Sequence, residues 1–173
     1  MAICAKSAIE IIRILNAAGV EAWVDGGWGV DALVGEQTRE HDDLDLVMGV
    51  EHVEAAMCAV GEHGFAIVRD ERPCSFVMGD AEDRRVDIHP VRFDAEGGGN
   101  QAQPNEGNWR YPPEGFTGVG QIGGEPVRCL TPEVQVLCHD GYDLDECDLA
   151  DMCLLREKFG IELSERFSKV ASS

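Results

Sequence analysis

Apolar positions recur along this chain with two periods, and the switches between them mark its elements. Residues 7–18 set Ile9, Ile11, Ile12, Ile14 and Leu15 at helical spacing, with Ser7 as N-cap, Glu10 at the capping-box distance and Gly19 as the stop. Ala22-Trp23-Val24 is a short apolar run that meets Gly26-Gly27, after which Val30, Leu33 and Val34 return to helical spacing. Asp43-Leu44-Asp45-Leu46-Val47 then alternates with period two, as a half-buried strand does. Residues 51–63 predict a second helix with Val53, Ala56, Met57 and Val60 on its core side, ended by Gly64. Strands are expected over 65–69 and 75–78, joined by a turn containing Pro73, and over 86–90. A hairpin follows at 116–122 and 126–130, turning on Gly123-Gly124, and Thr131-Pro132-Glu133 opens a helix. A last helix spans Asp148 to Phe159, and 160–173 reads as a polar tail. Residues 94–115 show no period and are rich in Gly, Asn and Pro. They read as a long functional loop whose Trp109 and Tyr111, with Asn100 and Asn108, form one wall of a cleft.

The chemistry gathers at residues 24–47, read as strand, glycine turn, helix, strand. Residues two apart on a strand share a face, so Asp43 and Asp45 project together while Leu44 and Leu46 are buried. Two adjacent carboxylates repel unless a cation lies between them. Mg²⁺ suits them, because it takes oxygen ligands and completes its shell with water and substrate phosphates. Gly26 and Gly27 allow close approach of backbone to a phosphate at a helix start, where the dipole favours an anion. These parts together describe a metal-assisted site for a nucleoside triphosphate. On the strand at 86–90, Val86 and Ile88 face the core and Asp87 and His89 the other side.

Several neighbours carry less. Asp42 is next to Asp43, so strand alternation turns it away and leaves it out of the site. Asp31 is expected to face solvent, and Arg39 and His41 by themselves read as solvated loop residues. Asp143 and Asp145 repeat the Asp-x-Asp spacing without a glycine turn before them. Cys138 beside His139 reads as a buried helix thiol.

Composition narrows the function classes. A length of 173 residues and 44% apolar content suit one ordinary domain, whereas 33 acidic against 14 basic residues give a net charge of −19. Such a surface repels nucleic-acid backbones and anionic membranes and attracts small cations. The seven cysteines are scattered, without a Cys-x-x-Cys pair, so reduced thiols in a cytoplasmic protein are expected. No leader or membrane-spanning run is visible.

The conjunction of glycine pair, short helix and Asp-x-Asp strand resembles the nucleotidyltransferase superfamily, with Asp87 where its third carboxylate falls. GGWGVDALVG followed by Arg39, His41 and Asp43-Leu44-Asp45 is similar to the small antibiotic nucleotidyltransferases, both the lincosamide and the aminoglycoside 2''-adenylyltransferase types. Asp87-Ile88-His89-Pro90, the Asn-Gln-Ala segment at 100–108 and HxGYDL at 139–144 resemble the lincosamide type, while Asp42 and the acidic balance lean toward the aminoglycoside type.

The resemblance implies an α/β fold in the α+β sense, the nucleotidyltransferase (DNA polymerase β-like) fold: a small mixed, twisted sheet flanked by helices. Residues 1–130 would form the core, and 131–173 a helical segment closing the acceptor side. It implies Mg²⁺-dependent transfer of AMP from ATP, or of another nucleotide, to an antibiotic hydroxyl, lincosamide first and aminoglycoside second. Asp43, Asp45 and Asp87 would be catalytic and hold metal. Gly26, Gly27, Arg39 and His41 would bind nucleotide, and His89, Asn108 and Tyr142 the acceptor. Its partners would be a cationic antibiotic and a nucleoside triphosphate, and a homodimer is compatible with the resemblance. A nucleotidyltransferase-like antitoxin that masks a protein partner is the alternative of another class, marked by an occluded cleft and a large exposed apolar patch. A sugar-nucleotide glycosyltransferase ranks below both, since the chain is short.

Overall fold

A computed structural model describes residues 2–104, 107–139 and 144–163. The alternation read from the sequence is realised on three neighbouring strands, β1 (Ala22–Asp25), β2 (Leu44–Gly49) and β5 (Arg85–Phe93). One face of these strands presents Val24, Leu44, Leu46, Val86 and Ile88 to a core that also holds Ile11 and Leu15 of α1 (Ala5–Ala17) and Ala56 and Val60 of α3 (Val53–Gly61). Leu46 is 1% exposed, and burying one such side chain contributes ~1.5–3 kcal/mol. On the opposite face Val47 and Val91 pack with Tyr111, Leu130 and Val134, beside Trp23 and Phe116.

β3 (Ala66–Glu71), β4 (Ser75–Gly79), β8 (Gly118–Ile122) and β9 (Glu125–Cys129) complete a mixed sheet in the order β3-β4-β5-β2-β1-β9-β8. β2 runs parallel to β5 and β1 parallel to β9, while the other neighbours are antiparallel. A third cluster joins α2 (Gly26–Val34), α4 (Pro132–His139) and α5 (Glu146–Phe159) through Val30, Val136, Met152 and Leu155. The α/β fold with a mixed sheet and flanking helices is therefore as the sequence led us to expect.

Four local expectations are corrected. Residues 94–115 are not a structureless loop: β6 (Gly99–Ala102) and β7 (Asn108–Tyr111) form an antiparallel hairpin on the far end of β5. Its strands have four residues each, and their stability comes from pairing with Arg92 and Phe93 rather than from local pattern. Gly99 lies under Phe116, where a Cβ would come within 2.8 Å of the ring. Helix α1 begins at Ala5 after Cys4, which caps with no side-chain bond, so Ser7 lies within the helix. Ile3 N–H bonds the His41 carbonyl at 2.7 Å and fixes that earlier entry. Helix α5 begins at Glu146, because Asp145 and Asp148 form a reciprocal capping box. Asp145 thus belongs to a helix start, while Asp143 and Tyr142 lie outside the described residues. Ile161 and Leu163, read as tail, pack on the α2–α4–α5 cluster.

Candidate active site

Strand pairing puts three carboxylates in one row. Asp25 is opposite Asp45 across β1–β2, and Asp45 is opposite Asp87 across β2–β5. All three leave the sheet on the face away from α1 and α3. β2 starts at Leu44, so Asp43 sits just before it, in the turn that enters the strand. Asp43 lines the same cleft as Asp25 and Asp45, and so does Asp42. Alternation cannot turn Asp42 away, because the strand has not yet begun there.

The cleft measures about 480 Å³. Around the carboxylates it is walled by Gly26 and Gly27, Arg39 and His41, His89, and the hairpin's Trp109 and Tyr111; Cys138, His139 and Asp148 close the helical side. A larger groove of about 890 Å³ lies against α1 on the far side. Among the described residues one group of three potential metal ligands stands out, Asp45, Asp87 and His89; Asp45 and His89 line the smaller cleft, and Asp87 lies beside them on β5.

Glycines set how close the pieces come. Gly26 has φ +59, and a Cβ on it would lie 2.3 Å from Asp45 Oδ2. A Cβ on Gly27 would lie 2.4 Å from both Arg39 Nη2 and His41 Nδ1. Asp25 caps α2 by accepting the Gly26 N–H at 2.8 Å, so that N–H is already used. The N-terminal amides that remain for a ligand belong to the residues after it.

Arg39 and His41 are not solvated loop residues. Arg39 donates from Nη2 to Asp151 Oδ2 at 2.7 Å and from Nε to Oδ1 at 3.3 Å, and Asp151 is 1% exposed. His41 Nε2 lies 2.5 Å from Asp31 Oδ2, and its ring packs on Trp28 with centroids 4.6 Å apart. Asp31, expected in solvent, is buried and also accepts from Thr38 N and Oγ1. The loop between α2 and β2 is thereby tied to α2 by Asp31 and to α5 by Asp151.

Electrostatics follow from this crowding. Burial, then the charges of Asp45, Asp87 and Asp42, push Asp43 up to about 6. Burial also raises Asp25 and Asp87, each opposed by His89. Burial works against a charged His89, but the hydrogen bond and charge of Asp45, with Asp87 and Asp25, prevail and push it up to about 9. Asp87 Oδ2 accepts from Arg69 Nη2 at 2.7 Å, whereas its Oδ1 is buried without a hydrogen-bond partner. That orphan oxygen, beside three other carboxylates, is a donor set that a hard divalent cation fits.

Two asparagines expected on the cleft wall, one of them also named for the acceptor, fall elsewhere. Asn108 is exposed at the start of β7 and lines a different groove with Arg72, Cys74 and Gln103. Asn100 is likewise outside the cleft, bonding Arg92 O and Asp94. Tyr142 lies outside the described residues. His89 is in the cleft, 3.5 Å from Asp45 Oδ1 and 3.8 Å from Asp87 Oδ1. Sequence reasoning gave no role to Asp25, Gln101 or Asp151. Gln101 lies in, and Asp151 follows, a segment noted for its resemblance to the lincosamide type, and Asp25 is the acid that ends an apolar strand just before the glycine pair.

A carboxylate row on a mixed sheet, facing a glycine-initiated helix, is the arrangement that the resemblance to nucleotidyltransferases implies. The profile of the aminoglycoside-2''-adenylyltransferase family matches residues 7–155. A lincosamide resistance protein of Staphylococcus haemolyticus is 32% identical over 147 residues, 85% of this chain and 91% of the relative. A 2''-aminoglycoside nucleotidyltransferase of Escherichia coli is 34% identical over 120 residues, 69% of this chain but 63% of the relative. Among solved structures, the lincomycin-bound lincosamide antibiotic adenylyltransferase LnuA superposes with TM-score 0.80 at 31% identity, covering 90% of this chain and 98% of that one. ANT(2'')-Ia in complex with adenylyl-2''-tobramycin shares the fold at TM-score 0.71 and 22% identity, over 97% and 94% of the two chains. The chain belongs to the aminoglycoside-2''-adenylyltransferase family, and it is a nucleotidyltransferase.

Proposed function

We propose that this protein moves AMP from ATP to a hydroxyl of a lincosamide, with Mg²⁺ as cofactor, in the cytoplasm. The observation that carries the reading is the registered pair Asp45 and Asp87, opening with Asp43 beside the α2 N-terminus. The choice of lincosamide rests on the relative and the solved structure whose chains are matched almost end to end.

Asp43 and Asp45 would hold the metal, which supplies charge neutralisation on the triphosphate oxygens. The amides after Gly26 and the α2 dipole orient the phosphates, and Gly27 lets them approach. Arg39, fixed by Asp151, adds a cation at the cleft wall. Asp87, with its raised pKa and unpartnered Oδ1, takes the proton of the incoming hydroxyl. A bond forms from that oxygen to the α-phosphorus, the α–β bridge breaks, and pyrophosphate leaves. Trp109 and Tyr111 on the hairpin and the α4–α5 segment wall the acceptor side, and Asp25, Asp42 and Asp148 give it the negative charge a cationic drug requires.

The family profile and Asp42 on the cleft rim favour a second reading, transfer to an aminoglycoside 2''-hydroxyl. Masking of a protein partner is disfavoured, because the cleft that holds Asp43 and Asp45 is open, with a volume of about 480 Å³. The test is pyrophosphate release with MgATP and lincomycin, clindamycin, kanamycin, tobramycin or no acceptor, with Asp45→Asn as control. Turnover confined to lincosamides and lost in the variant is expected. Turnover with aminoglycosides alone selects the second reading, and no turnover with any of them overturns both.

A further inference from the structure

β3 lies at the edge of the sheet and is exposed along its whole length, so it adds little to the core. A strict period of two would set Ile67 and Arg69 on one face of it. They face opposite ways, because Val68 is an extra residue. Ile67 pairs with Met78 and Arg69 with Val77, and the register shifts by one between them. Met78 belongs to the core face, whereas Val77 is paired with Asp87 on β5. A bulge of this kind re-aims a side chain. Here it adds Arg69 to the carboxylate row, which then runs Arg69, Val77, Asp87, Asp45, Asp25 from strand to strand.

Arg69 reaches past Val77 and donates from Nη2 to Asp87 Oδ2 at 2.7 Å. Among the described residues this is the hydrogen bond that the Asp87 side chain has. Asp45 stands on the other flank of Asp87 and repels it. One oxygen of Asp87 is thus held by the edge of the sheet, while Oδ1 stays buried without a hydrogen-bond partner, 3.8 Å from His89 Nε2. The Arg69 side chain is 54% exposed, and its other carboxylate neighbour, Glu71, is 3.8 Å away and 60% exposed. Ion pairs as open as these contribute little to stability. The fold gains little from Arg69, and the site gains a fixed carboxylate.

We propose that Arg69 is a positioning residue: the bulge at Val68 turns it onto Asp87 Oδ2, and that bond holds Asp87 in the one orientation that leaves Oδ1 free for the reacting centre. A group set in place beforehand does not have to be ordered during the reaction, and a misplacement of about 1 Å costs on the order of 100-fold in rate. The inference rests on the nucleotidyl-transfer reading for its effect on turnover, and on strand geometry alone for the orientation of Asp87.

The experiment joins crystal structures of the metal-free full chain to pyrophosphate-release kinetics, for the unsubstituted protein, Arg69→Met, Arg69→Lys and Glu71→Gln. We expect Asp87 in one orientation in the unsubstituted protein, and turned or split between two in Arg69→Met. The kcat of Arg69→Met should fall by about 10- to 100-fold, as when the partner that orients a site ligand is removed, with little change in nucleotide KM. Arg69→Lys keeps a donor on the same strand and should lose less. Glu71→Gln removes the other carboxylate near Arg69 and should change neither kcat nor Asp87. If Arg69→Met does not fold, Arg69→Gln, too short to reach Asp87, takes its place. Arg69→Met with unaltered kcat, or with Asp87 unmoved, overturns the proposal. A Glu71→Gln variant that reproduces the loss also overturns it, since Arg69 would then serve a surface charge network. If the unsubstituted protein modifies no acceptor, the proposed reaction fails, and the orientation of Asp87 in the crystals decides the role of Arg69.

Discussion

Gly26→Ala separates backbone strain from damage to the site. An alanine held at φ +59 costs ~1–2 kcal/mol. For a chain of this size that is a fall in Tm of roughly 2–8 °C. The new Cβ would also lie 2.3 Å from Asp45 Oδ2, where ordinary contact begins near 3.4 Å, so the carboxylate must move by about 1 Å. A misplacement of that size in a reacting centre costs on the order of 100-fold in rate. Gly64→Ala is the matched control, since Gly64 has φ +89 but nothing within 4 Å of the added carbon. Thermal unfolding and pyrophosphate release should therefore show similar losses of Tm in both variants and a loss of turnover in Gly26→Ala alone. If Gly26→Ala turns over like Gly64→Ala, the glycine is not there to make room for Asp45, and the argument from close approach fails.

Asp151→Ala removes both bonds to Arg39; losing hydrogen bonds to a charged partner costs about 1.5–3 kcal/mol, and nucleotide KM should rise as Arg39 swings free. An unchanged KM in steady-state kinetics would mean that Arg39 does not meet the nucleotide. In EDTA, Tm should fall as pH rises from about 6 to about 9. The carboxylates of Asp25, Asp43 and Asp87 have raised values, so their charged forms cost the folded state increasingly as pH passes upward through about 6 for Asp43. His89 is raised too, so its contribution is present below its ordinary value of 6.5 and lost through about 9. Differential scanning fluorimetry that shows a flat or rising Tm over that window would contradict this balance, and Mg²⁺ should stabilise most at its alkaline end.

The strands that bear the carboxylates were legible because both periods are strong there: Leu44, Leu46, Val86 and Ile88 have one buried face each and leave Asp45, Asp87 and His89 on the other. What escaped was what other parts of the chain impose. Asp31 looked like a solvent-facing helix residue, because its partners Thr38 and His41 meet it only when the following loop folds back. Arg39 is matched by an acid 112 positions away, and no local pattern encodes that. The hairpin at 99–111 is too short and too glycine-rich to declare itself, and its pairing partner is the end of β5. Asp42 was misjudged by extending a strand two residues beyond its start.

The row Asp25, Asp45 and Asp87 has a consequence for how such an enzyme changes over generations. Their spacing is inherited from strand hydrogen bonding, about 4.8 Å per step, and not from any loop. The walls that face an acceptor are built from other pieces, the β6–β7 hairpin and the α4–α5 segment, which touch the row only at its margin. Substitutions can accumulate in those walls while the sheet keeps its ruler. A lineage of this kind is free to trade one acceptor for another by rebuilding the walls, with the carboxylate row carried along unaltered.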